Sequence, residues 1–163
     1  MKTVAEIRQA LTRLLQEERR LLQQLETLLV NEKALLLQDD APEILEDAAH
    51  KRQECMVALL NLQDERHGVL RITGFSTDNA GLAALIKACD PERTLPPQWA
   101  ECADIAKRCR ELNDHNGALV TTRMRRIQGV LEMLTGARSQ QVVYGRQAEQ
   151  GFRSRGAVVA TQA

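Results

Sequence analysis

The stretch VAEIRQALTRLLQEERRLLQQLETLLVNEKALL, residues 4–36, determines the fold class. One row of apolar residues recurs every seven positions from Ile7 to Leu35, and a second row lies one position later along the chain. This spacing predicts one long helix with a wide apolar stripe. A third row alternates Leu11, Glu18, Leu25 and Glu32. Two leucine rows beside a mixed third are typical of a helix bundle rather than of an isolated two-stranded coiled coil.

The rest of the chain predicts two more long helices and a short one. The first of the long helices begins at a start signal formed by Asp40, Pro42 and Glu43 and ends near Gly74. The short helix covers about Ala80–Cys89, and the other long helix runs from about Pro97 to Gly136. Beyond Gly136 the apolar periodicity stops. We therefore predict an all-α protein, an elongated bundle of three long helices with a short connecting helix. Residues 1–136 would form the bundle domain and residues 137–163 a flexible C-terminal tail.

Charged residues interrupt the apolar phase of the first two long helices at matching intervals. Glu18 and Glu32 are separated by the same number of residues as Arg52 and Arg66. In an antiparallel hairpin this spacing places Glu18 opposite Arg66. The same register places Glu32 opposite Arg52. We expect these pairs to specify the register of the two helices more than they stabilise them.

Composition excludes several classes of protein. Aromatic residues are only 2% of the chain, fewer than a β-sandwich or a doubly wound sheet normally contains. The 22 basic and 22 acidic residues balance, which argues against a nucleic-acid partner. No apolar run approaches the roughly 20 residues of a membrane span, and the first residues lack a secretory signal, so we expect a cytoplasmic protein that does not insert into the membrane.

The histidines and cysteines offer little chemistry. His50 has a glutamate four residues away on either side, and His67 follows Asp64 with the spacing found in carboxylate-bundle metal sites. Such a site needs two matching motifs on facing helices, and zinc needs ligands beyond Cys102 and Cys109. We therefore expect no metal and no cofactor, solvated histidines and cysteines packed in the core. A carboxylate-metal bundle remains an alternative interpretation, which metal analysis would exclude.

No nucleotide-binding, hydrolase or metalloprotease motif is present, so we do not expect an enzyme. The arginines at 123, 125 and 126 form a basic cluster that lacks aromatic residues for base stacking. They are read as a solvated face or as a docking strip for an acidic partner.

The segment LNDHNGALV, residues 112–120, breaks two local rules. Asn113 and Asn116 stand at interior positions of the helix, and Gly117 lies in its middle, where glycine costs about 1 kcal/mol relative to alanine. A packing or partner requirement should compensate for these costs. Asparagines that specify the helix register, with a close helix approach at Gly117, are one explanation, and contact with a partner is the other.

This segment resembles the FlgN-like family of flagellar type III export chaperones. The resemblance rests on LNDHNG at 112–117, VLEML at 130–134 and the pair Tyr144-Gly145. The earlier part of the chain agrees only in its pattern of a long leucine-rich hairpin. Ala148 departs from the family, in which a second glycine often follows the Tyr-Gly pair by three residues.

The resemblance implies a cytoplasmic chaperone that is not an enzyme. It would bind hook-associated proteins, also called hook-filament junction proteins, prevent their premature assembly and bring them to the membrane export-gate protein. Tyr144 and Gly145 would dock on that gate protein. The alternative is a structural coiled-coil scaffold without cargo.

The end of the third long helix offers a candidate surface for an amphipathic cargo helix. The residues at suitable spacing are Val120, Met124, Ile127, Leu131 and Leu134. The competing interpretation is that they complete the bundle core, and we favour the core for Val120 and Ile127. Met124 and Leu131 lie off the main apolar row and are better candidates for exposed contacts.

Overall fold

The computed structural model has four α-helices. They are α1 (Val4–Gln38), α2 (Pro42–Thr73), α3 (Asn79–Cys89) and α4 (Leu95–Arg153). The structure describes the backbone of residues 3–38 and 42–153 and the side chains of 3–38 and 42–136. No strand occurs within these ranges. The predicted all-α class, with three long helices and one short connecting helix, is confirmed.

The element boundaries agree with the sequence except at one point. Gly74 ends α2 with a φ of +79°, a left-handed conformation that glycine adopts without strain. The predicted helix end at Gly136 is wrong, because α4 continues to Arg153. A single glycine costs a helix only about 1 kcal/mol, and neither proline nor a capping signal follows it. Asp40, the predicted N-cap of α2, lies outside the described residues.

The chain divides into two compact units, Met1–Leu119 and Val120–Ala163. The first contains α1, α2, α3 and the first part of α4. The second contains the rest of α4, and residues 154–163 of the predicted tail lie outside the described residues. The division after residue 136 that the sequence suggests stays a prediction.

Helices α1 and α2 form an antiparallel hairpin with the expected register. The Nη1 atom of Arg66 donates to Oε2 of Glu18 at 2.6 Å. Near the other end of the hairpin, Nε of Arg52 lies 3.2 Å from Oε2 of Glu32. Both predicted ion pairs are present, and the thiol of Cys55 donates to a backbone carbonyl of α1 between them.

Helix α4 packs parallel to α1 through contacts that repeat every seven residues. The thiol of Cys102 donates to the carbonyl of Leu15 at 3.6 Å, and the thiol of Cys109 donates to the carbonyl of Leu22 at 3.5 Å. One heptad further, Nδ2 of Asn116 donates to a carbonyl of α1 at 2.9 Å. All three contacts join residues 87 positions apart, so the two helices keep one register throughout.

Side-chain charges follow the same heptad. Arg19 pairs with Glu101 at 3.1 Å, and one heptad later Glu26 pairs with Arg108 at 2.6 Å, with the signs exchanged between the helices. The hydrogen bond from Arg108 lowers the pKa of Glu26. These pairs are largely exposed and contribute little stability individually, but their alternation favours this register over a shift by one heptad.

The core of the first unit is aliphatic and includes all four cysteines. Leu11, Leu14 and Leu29 of α1 are almost completely buried. Cys55, Cys89, Cys102 and Cys109 are free and buried, as expected. Burial raises the pKa of Cys102 and of Cys109 to about 11, so these thiols remain protonated at neutral pH and can donate to the α1 carbonyls.

A tight turn connects α2 to α3. Asp78 caps α3 by accepting a hydrogen bond from the Gly81 N–H at 2.7 Å, and the hydroxyl of Ser76 donates to the same carboxylate oxygen at 2.7 Å. The turn therefore brings the backbone of Ser76 against the first turn of α3. A Cβ atom at Gly81 would overlap the Ser76 carbonyl oxygen.

Replacing Gly81 by alanine should therefore lower the free energy of unfolding by about 1–3 kcal/mol, because the turn must shift to make room for the methyl group. Gly68→Ala is the matched control: Gly68 lies within α2, and a Cβ there meets no heavy atom within 4 Å. The control should gain up to about 1 kcal/mol from helix propensity. Denaturant unfolding measures both variants, and equal stabilisation by both would contradict the close approach at Gly81.

Candidate partner-binding surface

A polar cluster joins α1, α2 and α4 within the first unit. It consists of Glu32, Arg52, Asn113 and Asn116, four of the residues that the sequence analysis singled out for helix pairing. Arg52 lies 3.2 Å from the Glu32 carboxylate through Nε and donates through Nη1 to Oδ1 of Asn113 at 3.2 Å. The Asn116 amide donates both to the α1 backbone and to Glu32, the latter at 3.4 Å. The glutamate–arginine pair and the asparagine pair thus form one site.

Two members of the polar cluster are deeply buried. Glu32 is 7% exposed and Asn116 is 3% exposed. Nε of Arg52 and Oδ1 of Asn116 have no hydrogen-bond partner among the described residues. The contact between Arg52 Nε and Glu32 is therefore an ion pair whose geometry is not that of a hydrogen bond. A cluster that is only partly satisfied adds little stability but strongly disfavours other registers.

The glycine beside this cluster does not mediate a close helix approach. Gly117 is exposed, and a Cβ atom there would meet no heavy atom within 4 Å. The expectation of close packing at Gly117 is wrong, because this side of α4 faces away from α1. The interior position expected of Asn113 is also wrong, because its side chain is exposed and accepts a hydrogen bond from Arg52, so only Asn116 is buried.

The second unit carries an exposed apolar row along α4. The row consists of Val120, Met124, Ile127, Leu131 and Leu134, with exposed fractions from 43% to 62%. The expectation that Val120 and Ile127 complete the core is wrong, since both side chains are exposed. Among the described residues of α4, the buried core cluster and the side chains packed against it extend only to Leu112.

The exposed apolar row is wider than the sequence suggested. Val130, which lies in the main apolar phase of α4, and Met133, which flanks that phase, are also exposed. Apolar residues therefore cover more than one stripe of this helix, beside the arginines at 123, 125 and 126. An exposed apolar helix face of this extent is typical of an interaction surface.

Tyr144 and Gly145 lie in the last part of α4, where the structure describes the backbone only. Their side-chain environment falls outside the described residues. The docking role expected for this pair therefore stays a prediction.

The other candidate chemistry is sparse. Among the described residues, no three histidines, cysteines or carboxylates come together as a group that could hold a metal ion. His50 is exposed and lies 3.9 Å from Glu46. No helix in the described part of the chain has the length and apolar character needed to cross a bilayer.

Residues 1–151 match the sequence model of the FlgN family, described as FlgN protein. The chain belongs to the FlgN family. No curated protein and no solved structure matches the chain. The family match includes the polar cluster, the exposed apolar row and Tyr144. FlgN proteins are chaperones of flagellar biogenesis and type III export.

The sequence analysis of this FlgN-family chain missed how its site is assembled. It treated Asn113 and Asn116 separately from the pair of Glu32 and Arg52. A signal was available: Asn116 follows Cys109 by seven residues, as Cys109 follows Cys102. That spacing places all three on the face of α4 that contacts α1.

Asn116→Ala should lower the free energy of unfolding by about 1–3 kcal/mol, because it removes a buried donor and leaves an α1 carbonyl and Glu32 without it. Asp114→Ala is the matched control, since Asp114 is exposed two residues away in the same helix. Both changes alter helix propensity in the same direction. Chemical denaturation should therefore separate the two variants, and equal stabilities would contradict the structural role of Asn116.

Proposed function

We propose that this FlgN-family protein is a cytoplasmic chaperone that binds hook-associated proteins through the exposed apolar row. Binding would prevent their premature assembly and allow their delivery to the membrane export-gate protein. The observation that carries the proposal is the apolar surface of α4 between Val120 and Leu134, whose side chains are exposed among the residues that the structure describes. An amphipathic helix of a cargo subunit has the complementary shape and chemistry.

The size of this surface suits a single helix. Val120 and Leu134 are separated by 14 residues, or about 21 Å of helix. Complete burial of one large aliphatic side chain contributes about 1.5–3 kcal/mol, so burial of the exposed portions of five such side chains can exceed the cost of ordering a partner helix. Such a contact is strong enough to hold an aggregation-prone segment.

The polar cluster supports the same proposal because it holds the part of α4 that precedes Leu119. Asn116 is bonded to α1, and the exposed apolar row begins four residues later in the same helix. The bundle therefore holds α4 up to this point. A cargo helix then meets a segment that extends from an anchored helix, which reduces the conformational entropy lost on binding.

Arg125 and Arg126, which are exposed, keep the exposed apolar row soluble and set a charge preference. Basic residues beside an apolar strip favour a partner with acidic residues beside its own apolar strip. We expect cargo binding to weaken moderately as salt rises, because the apolar contacts persist while the charge contacts are screened.

The double variant Met124→Asp with Leu131→Asp should weaken binding of a hook-associated C-terminal peptide by at least about 100-fold, because two carboxylates would be placed in an apolar interface. The matched control is Leu37→Asp with Ile72→Asp, which changes two exposed apolar residues of the first unit. Calorimetric titration measures binding, and circular dichroism should show similar helix content in all proteins.

Unchanged binding by the first variant would place the cargo surface elsewhere, with the α1–α2 hairpin as the next candidate. Sedimentation with and without the peptide distinguishes the chaperone from a coiled-coil scaffold. A scaffold would keep its own oligomeric state, whereas a chaperone would form a defined complex with the peptide.

Tyr144→Ala should leave the fold and cargo affinity near those of the wild type but reduce binding to the export-gate protein and secretion of hook-associated proteins. A tyrosine ring can bury a large area with few rotamers to restrict, and such anchors contribute about 2 kcal/mol or more. Phe152→Ala is the control, because it removes another aromatic residue from the same C-terminal stretch. Normal secretion by Tyr144→Ala, or simultaneous loss of cargo and gate binding, would contradict a separate anchor.

A further inference from the structure

A second candidate surface lies in the first unit, where α3 meets the start of α4. It is a groove of about 480 Å³ whose apolar lining includes Ile86, Pro91, Pro96 and Trp99. Trp99 is the only tryptophan of the chain and is half-buried. Nothing in the proposed cargo contact uses this groove.

The buried residue Asp90 explains why the groove keeps its shape. Its carboxylate accepts a hydrogen bond from the Leu95 N–H at 2.7 Å and one from the Thr94 hydroxyl at 3.1 Å. Its backbone N–H closes the last turn of α3. One residue therefore links the end of α3 to the first turn of α4 and holds the two walls of the groove together.

The carboxylates beside the groove share one cation, Arg8. Nε of Arg8 lies 3.5 Å from the Asp90 carboxylate, and the same guanidinium donates to Glu92. Arg8 is thus shared between the two carboxylates beside the groove. With Lys87 and Arg93, three cations lie at or beside the groove against these two carboxylates, which leaves an excess of positive charge.

Two other cations at the groove, unlike Arg8, are not paired with a carboxylate of the described residues. The side chains of Lys87 and Arg93 line the groove and form no ion pair or hydrogen bond with any other residue that the structure describes. Arg93 also has a left-handed backbone with a φ of 56°, a conformation that is uncommon for residues other than glycine. Strained positions of this kind persist where the surrounding turn determines them, and they occur preferentially at interaction sites.

We propose that this groove binds an acidic peptide segment of a partner protein. Carboxylates of the segment would pair with Lys87 and Arg93, and an apolar side chain between them would pack on Trp99. The charge complementarity selects this occupant: a basic segment would meet two unpaired cations, whereas an acidic one supplies the charges that the groove lacks.

The groove is separate from the proposed cargo contact. Trp99 belongs to the first unit, whereas all residues of the exposed apolar row belong to the second. A partner in the groove would therefore leave the cargo surface free. The two surfaces would allow the chaperone to hold cargo and a second protein at the same time.

Trp99 fluorescence tests the proposal directly on the full-length protein. The probe is a short peptide that alternates glutamate and leucine, and a peptide with lysine in place of glutamate is its control. The glutamate peptide should cause a saturable change in Trp99 emission that weakens as salt rises, since exposed ion pairs are screened. The lysine peptide should cause none.

The double variant Lys87→Glu with Arg93→Glu should weaken binding of the glutamate peptide by at least about tenfold, because two ion pairs become repulsive. Its matched control, Lys107→Glu with Arg110→Glu, makes the same change in net charge at exposed positions of α4 outside the groove and should bind like the wild type.

Three results would overturn the proposal: no saturable fluorescence change, equal binding of the lysine peptide, or full binding by the Lys87 and Arg93 variant. That variant should also retain binding of the hook-associated peptide. If the Lys87 and Arg93 variant lost both the glutamate peptide and the hook-associated peptide, the two surfaces would not be separate. If only the Met124 and Leu131 variant lost the hook-associated peptide, the groove proposal would be unaffected.

Discussion

The buried carboxylate of Glu32 is the constraint on which the arrangement of α1, α2 and α4 depends. A charge removed from water must be neutralised, and Arg52 does this at only one register of the α1–α2 hairpin. Asn116 reaches both Glu32 and the α1 backbone at only one register of α4. Leucine rows alone would tolerate a shift by one heptad, but such a shift would separate the charge from its partners.

The same constraint fixes the part of α4 that precedes the exposed apolar row. Cys102 and Cys109 continue the contacts of Asn116 along α1, so α4 is held over its first part by small donors that repeat every heptad. Beyond Leu119 the same helix continues with exposed apolar residues and arginines. A chaperone benefits from this division, because the bundle supplies stability while the exposed part of the helix retains apolar surface for a partner.

Two physical features misled the predictions from sequence: apolar periodicity and glycine within a helix. Apolar periodicity shows which residues share a helix face, but it does not show whether another element covers that face. Val120 and Ile127 continue the phase of the buried residues of α4 and are nevertheless exposed. Gly117 and Gly136 were given structural roles because glycine is unfavourable within helices, yet a long helix tolerates a single glycine at a small cost.

By itself, the sequence determined the all-α class and the limits of α2 and α3. It also determined the pairing of Glu18 with Arg66 and of Glu32 with Arg52, because heptad spacing and opposite charges are local patterns with one antiparallel solution. Only the tertiary structure decided that α4 lies parallel to α1 and that Asn113 and Asn116 join the Glu32–Arg52 pair. It also decided that Lys87 and Arg93 line the groove at Trp99 without an ion-pair partner among the described residues. These features depend on which residues from distant parts of the chain become neighbours, and three-dimensional packing settles that.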